Sequence, residues 1–406
     1  MTEAVAAVGS GVVDLEDLGL DGGAHVLVKL ALDGLEPAGA LEVRGRHPEL
    51  AAHLATWCRQ QGHRWRPGTA PAVGFVERGR TAGARWVGAT RAGHCDPAVP
   101  GALAPVAPAE WGLAARGAAI EPGGPAPRFA LDARDEVWTD RAAGLYRQAL
   151  AAQWDPAAAI DWDTPFVLPD QVERAVVQVM TFLIENEEAA LVVPARFLGQ
   201  VHPHFREIQQ VLAVTVADEA RHIEVFTRRA TCRGGELALS SVGGRASLQT
   251  LLDEPDFAVA SFLLSVMGEG TFVSLLSFLE RHTPDPLTRR IAQLTRADEA
   301  RHVAFAMAHL ERHATLDPGV RGRLARAVER RHRELQTTAG LNEEVFDALV
   351  LIAAGAPTPS AIAAGWARVQ ALQAEMNDAR QGRLDRLGFS AAEADALAAL
   401  HSRNFM

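Results

Sequence analysis

The chain is poor in cysteine. It has three in 406 residues, Cys58, Cys95 and Cys232, scattered without the spacing of a thiolate metal site. That favours free thiols in a reducing compartment over a disulfide framework. Tyr146 is the one tyrosine. There is no long basic run and the net charge is −10, which weighs against nucleic acid as the main partner. No stretch of about eighteen apolar residues occurs, so no membrane span is expected. The start, MTEAVAAVGSGVV, lacks the basic segment and apolar core of a signal peptide. No flavin, nicotinamide or iron–sulfur motif is visible. The expectation is a soluble cytoplasmic protein. What the chain does have is apolar content, 48%, enough for substantial cores, and a length suited to roughly two or three domains.

It also has a repeated word. Ala-Asp-Glu-Ala-Arg-His occurs at Ala217–His222 and again at Ala297–His302, 80 residues later. Each copy holds a Glu and a His three residues apart, Glu219 with His222 and Glu299 with His302, on one face of a helix. Two such pairs on facing helices, completed by one Glu from each of two more helices, make a carboxylate-bridged dinuclear metal site. The flanking regions, about 170–230 and 256–314, read as an internal repeat, and counting back from each motif locates the missing carboxylates. Glu269 lies 30 residues before Glu299, and Glu188 lies 31 before Glu219. About fifteen residues out along one helix at ~1.5 Å each are matched by a similar number back. Glu185 and Glu187 are neighbouring candidates to Glu188, and Glu185, one turn away, could serve as an extra ligand. The ligand set is therefore Glu188, Glu219, His222, Glu269, Glu299 and His302. Four carboxylates balance two divalent ions in charge, and oxygen with imidazole nitrogen suits iron or manganese. Thr215 and Thr295 each precede a ligand glutamate by one turn, so they are expected on the ligand face, lining a cavity.

Residues 1–90 read as a small α/β unit in the order βαβαββ. The strands are Val12–Leu15, Ala40–Arg44, Ala72–Val76 and Arg85–Ala89, and the helices Ala24–Leu35 and Pro48–Gln61. Residues 91–136, rich in Pro, Gly and Ala, read as a linker or an extended wrapping segment. From 137 to 406 the pattern is helical. A lead-in helix at Trp138–Gln153 precedes four long ones at about 170–199, 205–231, 256–282 and 286–315. Turns at His202-Pro203-His204 and Pro284-Asp285-Pro286 break the pairs, and a glycine-marked crossover joins them. Two short turns around one long crossover is the connectivity of a ferritin-like bundle. Further helices are expected at about 318–338, 342–354, 359–387 and 390–401. The fold class is mostly α, a ferritin-like four-helix bundle with extra C-terminal helices behind a small α/β domain. His202 and His204 are expected at the surface, His309 near a cavity end, and the tryptophans, clustered before residue 163, in packing.

The wording HVLVKLALDGLEPAGALEVRGRHPELAAHLATWCRQQGHRW resembles a sulfur-carrier domain of the TusA type over about residues 11–90. That family bears a persulfide on a cysteine at the start of the first helix. Here the matching stretch is Gly19-Leu20-Asp21-Gly22-Gly23-Ala24, so sulfur carriage at that position is excluded. A role in docking, folding support or substrate presentation is implied, and Cys58 is expected to be a buried structural thiol. The doubled Asp-Glu-x-Arg-His resembles the signature of diiron carboxylate proteins of the ferritin-like superfamily, nearer to oxygenases, desaturases and the small subunit of ribonucleotide reductase than to storage ferritins. The resemblance implies that Asp218 and Asp298 accept from the ligand imidazoles, with Arg221 and Arg301 neutralising them. It also implies two iron ions (or Mn/Fe or Mn/Mn), O₂ as cosubstrate, a small-molecule substrate, an external electron donor and a possible homodimer.

Departures limit which relative is meant. Multicomponent hydroxylases carry a threonine where this chain has Val273, and Thr271 is set to point elsewhere. Arylamine N-oxygenases place a third histidine at the position of Thr295. Tyr146, outside the four core helices, is badly placed for a stable radical. The expected function is an O₂-activating oxygenase (monooxygenase) or oxidase. The alternatives are a ferroxidase, rubrerythrin-like or manganese-catalase-like protein, and a non-enzymatic adaptor with structural metals.

Overall fold

A computed structural model describes residues 10–80, 86–336 and 343–400. Part of the N-terminal stretch, the first residue of the strand expected at Arg85–Ala89, and ends of the helices expected at 318–338, 342–354 and 390–401 lie outside those residues. The chain forms two compact units. One contains the residues up to Ala92 with Gly117–Pro125, and the other Gly93–Arg116 with everything from Ala126 on. The stretch expected as a linker or an extended wrapping segment is shared: 93–116 belongs with the helical unit and 117–125 with the first.

In the first unit, strand β1 (Ser10–Asp14) leads through helix α1 (Ala24–Asp33) to β2 (Ala40–Arg44), then through α2 (Leu50–Gln61) to β3 (Arg64–Pro67) and β4 (Ala72–Glu77). The sheet order is β1-β2-β4-β3, with β1 parallel to β2 and β4 antiparallel to both neighbours. Ala24, Val28 and Leu32 recur at helical spacing on the buried face of α1. They meet Leu41 and Val43, which alternate inward on β2, and Leu50, Leu54, Trp57 and Cys58 of α2. Gly62, at φ 75°, ends α2 in the left-handed conformation that a side chain disfavours. The order βαβαββ is present, but the strand that pairs with Ala72–Glu77 in the last hairpin is Arg64–Pro67 before it, not the expected Arg85–Ala89 after it. Residues 86–89 form turns, and the chain next pairs at β5 (Thr90–Arg91) with β6 (Ala119–Ile120). Arg64-Trp65-Arg66-Pro67 is a short, largely exposed edge strand ending in proline, a type with little apolar alternation to reveal it.

In the helical unit, α3 (Arg134–Val137), α4 (Ala142–Ala151) and α5 (Pro156–Ala159) lead into the core. The core comprises α6 (Asp170–Leu198), α7 (Arg206–Thr231), a third helix, and α11 (Pro286–Leu316). The crossover contains α8 (Val242–Leu252), in which the glycine pair Gly243-Gly244 is buried. The third core helix runs as α9 (Phe257–Ser261), a π-helical segment (Phe262–Glu269) and α10 (Gly270–His282). After it come α12 (Val320–Leu335), α13 (Glu343–Ala354), α14 (Pro359–Arg386) and α15 (Ala391–Ala399). The unit is a four-helix core of ferritin-like connectivity with added helices.

Caps explain several boundaries. Asp285 accepts from Thr288 N at the start of α11, with Pro286 in the first turn. Ser390 and Glu393 form a capping box on α15. Asp285 also pairs with the fully buried Arg229 of α7, which reaches Glu173 of α6 as well. One guanidinium thereby ties three core helices together near the interhelix turn. The third helix, Phe257–His282, is long and apolar enough to cross a membrane, but 83% of its apolar window is buried inside the protein. It is a core helix flanked by two apolar clusters. One holds Phe197, Leu212, Phe257 and Phe305, the other Leu183, Val225, Phe272 and Ile291. Along each core helix the motif carboxylate falls between a stretch in one cluster and a stretch in the other.

Candidate metal centre

Four core helices each deliver carboxylate or imidazole groups to this level. Glu187, Glu219, His222 and Glu299 form one group whose ligand atoms lie within 4.8 Å of one another, and Glu219, Glu269, Glu299 and His302 form a second. Glu219 and Glu299 belong to both, so the groups share an edge. All six residues are buried.

Five of the six residues expected from the repeat are here. The sixth position is corrected: Glu187, 2% exposed, occupies it, and Glu188 is exposed to solvent. Glu185 is half-buried and in neither group. One residue is about 100° on a helix, so an error of one turns a core position outward. The count went astray because the two connections differ by more than one residue. Residues 199–205 link α6 to α7, while only 283–285 link α10 to α11. The π segment alters the register of the third helix as well. Ser261, Ser265 and Glu269 all face the same cavity. Four-residue steps drift about 40° each around an α-helix, and the looser winding of a π segment offsets that drift.

The histidines are held crosswise. His222 Nε2 meets Asp298 Oδ2 at 3.1 Å, and His302 Nε2 meets Asp218 Oδ2 at 3.3 Å. Each motif's aspartate therefore serves the imidazole of the other motif. Arg221 contacts Asp218 and Asp298, and Arg301 does the same. With Nε2 engaged, both Nδ1 atoms turn toward the glutamates: His222 Nδ1 is 3.0 Å from Glu219 and 3.3 Å from Glu299, and His302 Nδ1 is 2.9 Å from Glu219.

Two further residues join this layer, and sequence reasoning missed both. Trp154 Nε1 donates to Asp298 Oδ2 at 2.7 Å, its ring stacks on His222 at 6.4 Å, and Arg221 lies over it at 4.6 Å. Gln153 Nε2 donates to Asp218 Oδ1 at 2.8 Å and its Oε1 accepts from Arg221 at 2.6 Å. They are adjacent, just past the end of α4, in a segment whose tryptophans were read as packing. No periodicity marks such a position.

The electrostatics follow from burial. Burial, reinforced by Glu219 and Glu299, raises the Glu187 carboxyl well above the carboxylate range, and burial with Glu299 does the same to Glu269. Burial also opposes the charge on Glu219, but His302 and the contacts with Glu187 and His222 outweigh it and hold Glu219 well below that range. Burial disfavours both imidazolium ions, yet Asp298 and the glutamates raise His222, and Glu219 and Asp218 raise His302. Without cations the cluster is therefore protonated at several positions.

A cation is what these atoms fit. Glu187 Oε1 and both oxygens of Glu269 are buried with no hydrogen-bond partner, and Glu219 Oε1, both oxygens of Glu299 and His302 Nδ1 are buried with only the ion-pair contacts of this cluster. Each such orphan costs about 1–3 kcal/mol if left unsatisfied. Lone pairs converging within a few ångströms, with imidazole tautomers fixed from behind, are a dication donor set.

Beside Glu269 and His302 lies a narrow cavity. Its wall is mostly apolar, with Phe197, Leu212, Phe257 and Phe305, and carries the hydroxyl residues Thr215, Ser261 and Ser265. The space open to a water-sized molecule is about 30 Å³, little more than one or two waters need. Thr215 thus lines the cavity as expected. Thr295 does not line it, and its buried Oγ1 has no partner. His309 is buried behind the wall, against Phe257 and Phe305, with both ring nitrogens unpartnered. Thr271 points elsewhere, its hydroxyl bonded to Met267 O at 2.7 Å.

His202 and His204 are corrected: they are 1% and 3% exposed. The segment 93–116 packs over them, with Ala104 N donating to His204 Nε2 at 2.9 Å and Trp111 against the ring. Arg116 from that segment forms a buried pair with Glu207. In the first unit, burial pushes the Cys58 thiol up to about 11, so it is not a thiolate at neutral pH.

No family profile matches this sequence, and no curated protein does. Among solved structures, the chain is similar to an R2-like ligand-binding oxidase reconstituted with Mn/Fe, at 16% identity and TM-score 0.46, over 64% of this chain and 94% of that one. A variant of the same oxidase reconstituted with Fe/Fe gives 16% identity and TM-score 0.45, over 63% and 94%. A protein with aldehyde deformylating oxidase activity from Synechococcus gives 17% and 0.44, over 57% and 97%. Similarity at this level identifies neither a metal, a substrate nor a reaction.

Proposed function

We propose that the helical unit is a dinuclear iron or manganese oxidase or oxygenase that uses O₂ on a small organic molecule. The observation that carries this reading is the convergence of buried, unpartnered carboxylate and imidazole atoms beside an apolar cavity. Glu187, His222 and the shared Glu219 and Glu299 would hold one ion, and Glu269, His302 and the same shared pair the other. When bound, such ions supply the redox chemistry.

The chain's own residues do the rest. Asp298 and Asp218 hold the Nε2 protons, which leaves each Nδ1 lone pair free for a metal. Trp154 and Gln153 fix those aspartates, and the two arginines balance their charge. Phe197, Phe257, Phe305 and Leu212 exclude water beside Glu269 and His302 and favour an apolar substrate. Thr215, Ser261 and Ser265 offer hydroxyls to orient a polar atom or hold a proton. The cavity as formed admits a molecule the size of O₂. A larger substrate enters by displacing a phenylalanine ring. Inserting one oxygen atom of O₂ while reducing the other to water takes two further electrons, for which we propose a separate donor. The phenylalanine wall of this cavity suits an organic substrate better than hydrated ions, which favours the oxidase reading over the metal-handling one.

The test is anaerobic loading of metal-free protein with Fe(II), followed by metal analysis and O₂ uptake at an electrode. Two ions per chain and rapid O₂ consumption are expected. Two ions with no consumption would overturn the oxidase reading and leave structural metals.

A further inference from the structure

Away from the metal centre, α14 carries two buried guanidinium groups that have no counterion among the described residues. Arg380 is 3% exposed; its Nη1 donates to Ala398 O of α15 at 3.1 Å, and its Nε has no partner. Arg383, one turn on and on the same face, has Nε and Nη2 buried and unpartnered. The Arg383 guanidinium lies against the backbone of the third core helix at Gly270, where a Cβ would come within 2.6 Å of its Cζ and Nε. Glycine at 270 is what allows that approach.

Burial, with the neighbouring Arg383 charge, lowers Arg380 to about 10, and burial lowers Arg383 to about 10, so both are cations at neutral pH. Among the described residues neither forms an ion pair with a carboxylate. Two other buried arginines here have acids, while Arg331 bonds the Ser247 hydroxyl instead. Arg229 has Glu173 and Asp285, and Arg116 has Glu207. An uncompensated buried charge is among the costliest features a fold can carry, and two together repel as well.

We propose that Arg380 and Arg383 form a buried binding site for a small oxyanion, a carboxylate or a phosphate, against Gly270. The free Nε and Nη2 of Arg383 match the paired acceptor oxygens of such a group, and Arg380 Nε supplies a further donor. Because Gly270 follows Glu269 directly, the occupant ties α14 to the helix that delivers Glu269. This site is independent of the oxidase reading, since it concerns no metal ligand.

The experiment is calorimetric titration of the full chain with inorganic phosphate and, separately, with acetate, both at constant ionic strength in chloride. Saturable binding of one anion per chain is expected, weakened at least about tenfold in Arg383→Gln and in Arg380→Gln, since charge-assisted bonds are lost. Preference for phosphate or for acetate identifies which oxyanion the site takes. Gly270→Ala, which pushes the Arg383 guanidinium away while keeping its charge, should weaken binding similarly, and it stands in if a glutamine variant does not fold. No saturable binding of either anion, or binding unchanged in Arg383→Gln and Gly270→Ala, would overturn the proposal.

Discussion

The half of the centre around Glu187 and His222 is backed by an indole, and the half around Glu269 and His302 opens on a cavity. Both are built from the same six-residue word, and both histidines lean on an aspartate. The differences come from outside the repeat. Trp154 reaches Asp298 behind His222, while its neighbour Gln153 reaches Asp218 behind His302. Glu187 sits on an α-helix, and Glu269 ends a π segment whose Ser261 and Ser265 share its cavity. A duplicated sequence thus supplies near-symmetric donor groups, and non-repeated elements set which side opens on the cavity.

The largest effect should come from removing what the halves share. Glu219→Ala or Glu299→Ala takes a ligand from both groups, and metal analysis should find neither ion held stoichiometrically. Glu187→Ala or Glu269→Ala should leave one ion per chain. Equal losses from all four substitutions would break the division into two half-sites.

Next are the crossed aspartates. Asp298→Asn and Asp218→Asn should each weaken metal affinity about 10–100-fold, the usual cost of losing a ligand's supporting contact. The crossing makes a specific demand: Asp298→Asn, on the second motif, should loosen the ion beside His222 on the first. Trp154→Phe keeps an aromatic side chain but removes the N–H donor, so it should reproduce part of the Asp298 effect.

The pH dependence has a definite sign. Glu187, Glu269, His222 and His302 all have raised pKa values without metal, so protons must leave as cations enter. Affinity should therefore fall as pH is lowered. Calorimetry in buffers of different ionisation enthalpy should show proton release on loading. Uptake without proton release would mean the metal-free cluster is already ionised.

The cavity gives a smaller contrast. Thr215→Val changes a wall residue and should alter KM for an organic substrate several-fold. Thr295→Val, outside the cavity, should leave KM unchanged and act through the partner its buried hydroxyl lacks. Equal effects on KM would show that the cavity beside Glu269 is not where substrate sits.

How far the sequence reached depends on the kind of signal. Helical order, the bundle's connectivity and five of the six clustered residues followed from spacing and repetition, because a helix converts sequence distance into direction at a fixed rate. Whatever changes that rate or lies outside a period stayed hidden. The π winding before Glu269 left no mark in composition. Trp154 and Gln153 act from an irregular segment. His202 and His204 looked exposed because the segment covering them, 93–116, shows no regular pattern, and Arg64–Pro67 drew no strand assignment because an edge strand needs little apolar alternation.

The smallest effect is the most pointed test of that account, since adjacent residues should behave as opposites. Glu188→Ala should change stability by no more than about 0.5 kcal/mol, as for other exposed positions, and leave both ions bound. It faces solvent on α6, one step of about 100° from Glu187. If Glu188→Ala releases a metal ion and Glu187→Ala does not, α6 is rotated by one residue, with Glu188 rather than Glu187 facing the core. The count of 31 that pointed to Glu188 would then be the true register of the repeat, and the indole-backed half of the centre would have to be rebuilt around it.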